Sequence, residues 1–215
     1  MQKIRNILFD LDGTLTDPMI GITKSVRHAL NYFGIEVESL EELIPFIGPP
    51  LKKSFENFYG LSEADADKAV EVYREYFSVT GLFENKVYEG IPELLAALKA
   101  ENKRLFVATS KPTVFAKQIL EHFGLAPYFE DICGSFLSGE RVEKIDVIRH
   151  VLDEHKLSPE ETVMVGDRRF DVDSAKALGL LTIGVLYGYG SREEIEKAAP
   201  DKIATTVSDL QALLL

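Results

Sequence analysis

Short apolar runs and helical stripes of apolar residues take turns along this chain, and their order predicts its elements. Positions 4–9 read as a strand, because Ile7-Leu8-Phe9 is a continuous apolar run of the kind a strand covered on both faces requires. From Met19 to Thr80 the spacing is helical instead. Ile22, Val26, Ala29, Leu30 and Phe33 share one face of a helix predicted over 19–33. A short helix follows over Leu40–Phe46 and stops at the break Ile47-Gly48-Pro49-Pro50. Leu51, Phe55 and Phe58 mark a helix over Leu51–Tyr59, and Val70, Tyr73 and Phe77 another over 64–80. No strand-like alternation interrupts this block, so it reads as a small helical bundle inserted into another domain.

After Tyr88-Glu89-Gly90 the pattern changes. Strands are predicted over 105–108, 129–133, 162–165 and 181–186. Helices are predicted between them over 91–102, 114–123, 142–155 and 172–178, with Pro92 in a first turn and Gly124 and Gly179 as stops. Ser158-Pro159-Glu160-Glu161 reads as a single turn. Ser191-Arg192-Glu193-Glu194 is a capping box that opens another helix, and Val207–Leu214 is the last. Alternating strands and helices imply an α/β fold: a parallel sheet covered on both faces, with right-handed crossovers. The expected division is an α/β core over 1–15 and 86–215 and a helical insert over 16–85.

The polar residues at the strand ends carry the candidate chemistry. Asp10 closes the first strand, where open parallel sheets place their ligands. Asp12 follows two residues on, then Gly13, which lets the backbone turn. Two acids this close repel unless a metal or a proton intervenes. Thr109-Ser110-Lys111 stands after the second strand of the core, and Gly166-Asp167-Arg168-Arg169-Phe170-Asp171 after the strand over 162–165. Lys144 lies just inside a helix that can bring its amine to the same edge. Together these supply a nucleophile, acids for a hard cation, a hydroxyl for phosphate and a lysine as counter-charge, which is what phosphoryl transfer to a carboxylate needs. Lys111 and Lys144 are both candidates for the counter-charge.

Composition narrows the partners. Among 215 residues, 35 are acidic and 24 basic, a net charge of -11. That opposes a nucleic-acid-binding surface and docking on anionic membranes, while a bound cation leaves a phosphorylated substrate open. A lone cysteine, Cys133, excludes an intrachain disulfide framework and reads as a small buried residue. No stretch approaches a membrane span, and the first residues, with Lys3 and Arg5, do not read as a signal peptide. A cytoplasmic protein, monomer or homodimer, acting on a small phosphorylated metabolite is expected.

With Asp10-Leu11-Asp12-Gly13-Thr14 as motif I, Thr109 as motif II, Lys144 as motif III and the segment from Gly166 to Asp171 as motif IV, the chain resembles the haloacid dehalogenase superfamily of hydrolases. The helical block resembles the type-1 cap of its phosphoglycolate-phosphatase-like branch, over a Rossmann-like three-layer core. The resemblance implies that Asp10 attacks phosphorus to form an aspartyl phosphate. Asp12 protonates the leaving oxygen and then activates water. Mg²⁺ is held by Asp10, the Asp12 carbonyl and Asp167. Asp171 orients a metal-bound water or Lys144. Thr109, Ser110 and Lys144 bind the phosphoryl group. Asp12 speaks for a phosphomonoesterase, since dehalogenases and phosphonate-cleaving members lack it. Ile22 stands where mutase-like members carry a cap histidine. The substrates implied are phosphoglycolate, a nucleoside 5′-monophosphate or a sugar phosphate. Inorganic pyrophosphate is an alternative, and so is a signalling module that keeps its phosphoaspartate. The break at Gly48 reads equally as a substrate loop and as a plain turn. Tyr187-Gly188-Tyr189-Gly190 reads equally as an entrance and as a flexible turn. Asp17 is expected to cap the helix that follows it, Arg168 and Arg169 to sit in ion pairs or on a solvated edge, and the four histidines to form no metal motif.

Overall fold

The structure is a computed structural model and describes residues 4–215. The chain forms two compact units, one running to Asp17 and resuming at Val87, the other Pro18–Lys86. In chain order the elements are β1 (Asn6–Phe9), β2 (Thr16–Asp17), α1 (Met19–Tyr32), α2 (Leu51–Tyr59), α3 (Glu63–Tyr76) and β3 (Lys86–Val87). Then come α4 (Ile91–Ala100), β4 (Arg104–Pro112), α5 (Thr113–His122), β5 (Asp131–Ser135), α6 (Lys144–His155) and β6 (Thr162–Gly166). The chain finishes with α7 (Arg169–Ala177), β7 (Leu181–Val185), α8 (Arg192–Ala198), β8 (Lys202–Ala204) and α9 (Val207–Leu214).

The first unit is an α/β layer structure. Six strands form one sheet in the order β5-β4-β1-β6-β7-β8. Every pairing is parallel. β1 lies at the centre, with Ile7 between Leu105 and Val163 and Phe9 between Val107 and Val165. Its apolar run is explained by that place: Ile7, Leu8 and Phe9 are fully buried. On one face Leu8, Phe106, Ala108 and Met164 pack with Val147, Ile148 and Val151 of α6 and Ala175 of α7. Each such large side chain removed from water contributes roughly 1.5–3 kcal/mol. Cys133 belongs to the same cluster, the buried residue expected.

Several boundaries differ from the periodicity, and the reasons are tertiary. β4 runs on through Lys111 and Pro112, four residues past the apolar stretch, because β5 pairs with its tail after a slip of register between Ala108 and Pro112. β5 starts two residues later than expected, since Ala126–Tyr128 forms a tight 3₁₀ turn first. The turn at 158–161 is likewise a 3₁₀ turn, Pro159–Glu161. α7 begins three residues before Val172 because motif IV itself enters the helix. β8 escaped the pattern altogether; it is three residues long at the sheet edge, with Lys202 and Ile203 exposed.

The second unit is helical. α1 buries Ile22, Val26, Ala29 and Leu30 as the stripe predicts. Leu40–Phe46 winds as a 3₁₀ helix rather than an α-helix, opened by Ser39, whose hydroxyl accepts from the Glu41 N–H at 3.2 Å. In α3 the buried stripe is Ala66, Ala69, Val72 and Tyr73, so Val70 is only half-buried. The helix ends at Tyr76 and opens into a wider turn, Phe77–Gly81, whose Gly81 carbonyl is approached by Gly21 of α1. Aromatic rings fill the interior: Phe46 stands 5.0 Å from Phe55 and Tyr73 stacks on Phe77 at 5.1 Å, while the exposed Phe58 lies 5.3 Å from Phe46 at the rim.

Candidate active site

The site is built where β1, β4 and β6 end side by side. β1 delivers Asp10, whose N–H donates to the Val165 carbonyl at 2.9 Å. The chain then turns at once. Leu15 and Thr16 N–H donate to the Leu11 carbonyl at 2.9 and 3.0 Å, and Gly13 N–H donates to the Thr16 carbonyl at 2.8 Å. Gly13 has φ +82°, and a side chain there would collide with the carboxylate of Asp167. The glycine therefore both makes the turn and lets β6 bring Asp167 against it.

Four carboxylates and two ammonium groups share this space. Asp10, Asp12, Asp167, Asp171, Lys111 and Lys144 are all buried. Lys144 Nζ lies 2.8 Å from Asp10 Oδ1 and 2.8 Å from Asp171 Oδ1, and donates to the Ala108 carbonyl at 3.0 Å. Lys111 Nζ donates to Asp12 Oδ1 at 2.7 Å. The two lysines thus take different acids: Lys144 joins the nucleophile candidate to motif IV, and Lys111 belongs to Asp12. Asp167 accepts from Tyr189 N–H at 2.7 Å and from the Thr14 hydroxyl at 3.3 Å. Asp171 accepts from Arg168 N–H at 3.1 Å while it faces Lys144, so it serves the first turn of α7 and the site together.

The electrostatics are those of a site short of positive charge. Burial, then the neighbouring Asp171 and Asp10, push Asp167 up to about 8. Burial, helped by Asp10, also outweighs Lys144 and pushes Asp171 up to about 6. Asp12 is raised by burial in spite of Lys111. Burial alone would lower Lys144; Asp10 and Asp171 override it and raise its pKa. Fully ionised, the four acids would exceed the two lysines by two negative charges, the charge of one divalent cation, and the raised carboxyl pKa values follow from that imbalance together with burial. One oxygen each from Asp10, Asp167 and Asp171 lies within 4.8 Å of the others. An all-oxygen set of this kind suits a hard ion such as Mg²⁺.

Thr109 is buried on the neighbouring strand, and its Oγ1 accepts from the Lys111 N–H at 3.2 Å. Ser110 beside it is half-buried. Gly48 belongs to the helical unit, in the break before α2, with φ +107°. Asp17 does not cap α1: the N-cap is Pro18, without a side-chain hydrogen bond, because Asp17 instead accepts from the Tyr189 hydroxyl. The segment Tyr187–Gly190 is therefore no slack turn. Tyr187 donates to the Thr14 carbonyl at 3.1 Å, Tyr189 N–H serves Asp167, and a side chain at Gly188 would strike the Gly13 carbonyl and Asp167. The two glycines that alternate with the tyrosines, Gly188 and Gly190, were the signal of that close approach. Arg168 Nε pairs with Glu194 at 3.0 Å, the ion pair expected of it.

Comparison with known proteins agrees with this geometry. The family model for haloacid dehalogenase-like hydrolases matches residues 7–185. A 5′-nucleotidase of Pseudomonas aeruginosa is 49% identical over 97% of this chain and 95% of its own length. The tyrosine-protein kinase PtkA of Mycobacterium tuberculosis is 41% identical over 97% of this chain and 72% of its own. The crystal structure of a predicted phosphatase from Clostridium acetobutylicum superposes with a TM-score of 0.96, at 50% identity and 98% coverage of both chains. The chain belongs to the haloacid dehalogenase-like hydrolase family.

Proposed function

We propose that the protein is a Mg²⁺-dependent phosphatase that hydrolyses a small phosphate monoester through an aspartyl phosphate on Asp10, with nucleoside 5′-monophosphates as the first substrate class. The observation that carries this reading is the pair Asp10 and Asp12. One carboxylate is held against Lys144, and the other, two residues on, is pushed towards its protonated form. Asp10 attacks phosphorus as the bond to the leaving oxygen breaks. Asp12 delivers its proton to that oxygen. Asp12, now a carboxylate, takes a proton from water as the water attacks the phosphoaspartate, and phosphate leaves with Asp10 restored. Thr109, Ser110 and Lys144 hold the phosphoryl oxygens. Asp10, the Asp12 carbonyl and Asp167 would hold Mg²⁺, with Asp171 fixing Lys144 behind them. The ion supplies charge neutralisation and alignment of the phosphoryl group.

The 49% identity to a 5′-nucleotidase supports the substrate class. The relative named as a tyrosine-protein kinase raises a second reading, transfer to a hydroxyl instead of water. Asp12 favours water, because it provides the base that the hydrolytic step needs. We assign substrate choice to the helical unit as a cap, with the break at Gly48 as its candidate loop. A panel of nucleoside monophosphates, phosphoglycolate, sugar phosphates and inorganic pyrophosphate, scored by released phosphate with and without Mg²⁺, tests all of this. Release from nucleoside 5′-monophosphates is expected. A wild-type phosphoenzyme that persists without releasing phosphate would favour the signalling alternative.

A further inference from the structure

Lys111 is the one charged side chain of the site to which the mechanism gives no task. It lies on the tail of β4, two residues past Thr109, with its side chain 5% exposed. A lysine this deep is not a solvated edge. Its main chain is clamped to β5. Gly134 N–H donates to the Thr113 hydroxyl at 2.9 Å, and the Ser135 hydroxyl donates to the Ser110 carbonyl at 2.8 Å. A side chain at Gly134 would collide with the Lys111 carbonyl, so glycine is what lets β5 approach here. The slip of register between Ala108 and Pro112 falls in the same segment. All of this fixes where the Lys111 side chain starts. Where it ends is Asp12 Oδ1, at 2.7 Å.

Asp12 needs such a partner. The turn from Leu11 to Thr16 is closed by four backbone hydrogen bonds, but none of them reaches the Asp12 carboxyl group. Lys144 is engaged with Asp10, Asp171 and the Ala108 carbonyl. We propose that Lys111 is a positioning residue that aims the Asp12 carboxyl at the leaving-group oxygen, a role that rests on the phosphoaspartate reading above. The β4–β5 clamp acts through it, and Ser135 is the clamp's testable end.

The experiment compares wild type, Asp12→Asn, Lys111→Met, Lys111→Arg and Ser135→Ala on two esters, adenosine 5′-monophosphate and 4-nitrophenyl phosphate. The alkyl ester needs its leaving oxygen protonated; the aryl ester hardly does. Lys111→Met should lower kcat on the alkyl ester by about 10²-fold, the range of general acid help, with KM nearly unchanged. On the aryl ester it should keep a burst of nitrophenol and accumulate a phosphoenzyme, seen as an added phosphoryl group in the intact mass, the outcome also expected of Asp12→Asn. Lys111→Arg should restore part of the alkyl rate, and Ser135→Ala should show a weaker form of the same ester preference. If Lys111→Met fails to fold by circular dichroism, Lys111→Arg and Ser135→Ala carry the test through that ester preference. A raised KM with kcat kept would make Lys111 a substrate contact and overturn the proposal, as would an equal loss on both esters. If Asp12→Asn accumulates phosphoenzyme while folded Lys111→Met does not, Lys111 alone loses its role. If neither wild-type turnover nor a phosphoenzyme is found, the phosphoaspartate reading fails and takes this role with it.

Discussion

The two units treat charge in opposite ways. In the helical unit no charged side chain among the described residues is fully buried, and most stay at the surface. Lys52 reaches Glu63 and Asp67 at 3.3 and 2.9 Å, with side chains 36, 84 and 60% exposed. Such pairs are screened and contribute little. The stability of this unit lies in its rings, Phe46, Phe55, Tyr73 and Phe77, and in the α1 stripe. The α/β unit instead takes six charged side chains out of water at one sheet edge. Burial there raises the pKa of three carboxyl groups, and two lysines do not balance four acids. An arrangement that costs stability without a bound ion is understandable as a site and not as packing.

The largest effect that sharpens the contrast belongs to Asp10→Asn. It removes the nucleophile and weakens the cation site, so turnover should fall on the order of 10⁴-fold or more while the fold survives. Phosphate release near the wild-type rate from a folded Asp10→Asn protein would remove the mechanism. In the helical unit, the matching blow is to packing. Phe55→Ala empties a fully buried position and should cost about 3–5 kcal/mol in urea unfolding, with no change in the chemistry of the other unit. A loss below about 1 kcal/mol would show that the rings do not hold this unit.

A smaller effect joins charge to stability. Folding pushes the Asp167 pKa from 3.8 up to about 8, through burial first and then the facing Asp171 and Asp10, against the Tyr189 N–H, Arg168 and the Thr14 hydroxyl. Between those values the folded state binds more protons than the unfolded one, so rising pH removes stability. The melting temperature of metal-free protein should therefore fall from about pH 6 to pH 8. Mg²⁺ should flatten that slope and add about 2.7 kcal/mol at a hundred times its Kd. A Mg²⁺-independent melting curve across this window would argue against a cation beside Asp167. The smallest effect is the control. Lys52→Ala loses both exposed pairs and should leave the melting temperature where it was, by differential scanning calorimetry.

Much of this was legible in the residues. Apolar runs placed the five longer core strands, because a strand buried on two faces has no freedom in composition. Asp10, Asp12, Asp167 and Lys144 were legible because carboxylates just past strand ends and an amine at a helix start serve no packing purpose. β8 was not, since an edge strand of three residues leaves no period to read. Lys111 could be named but not assigned, because its distance to Asp12 depends on a register slip that β5 imposes from outside the segment. The Tyr187–Gly190 segment stayed undecided, and Asp17 was misjudged as a helix cap, for the same reason. Their hydrogen bonds join positions 172 or 173 residues apart in the chain, which no local pattern encodes.

The central place of β1 has a consequence for how the molecule comes into being. It is the first of the six strands to be synthesised, yet its neighbours are drawn from residues 104–107 and 162–165. Until the second of these has left the ribosome, β1 has at least one row of unpaired peptide groups and an apolar surface with nothing to cover it. The whole helical unit has been made by then and can condense on its own short-range contacts. The sheet, closed by long-range pairings, must be the slow step, and the nascent chain is most prone to aggregate while it waits for β6.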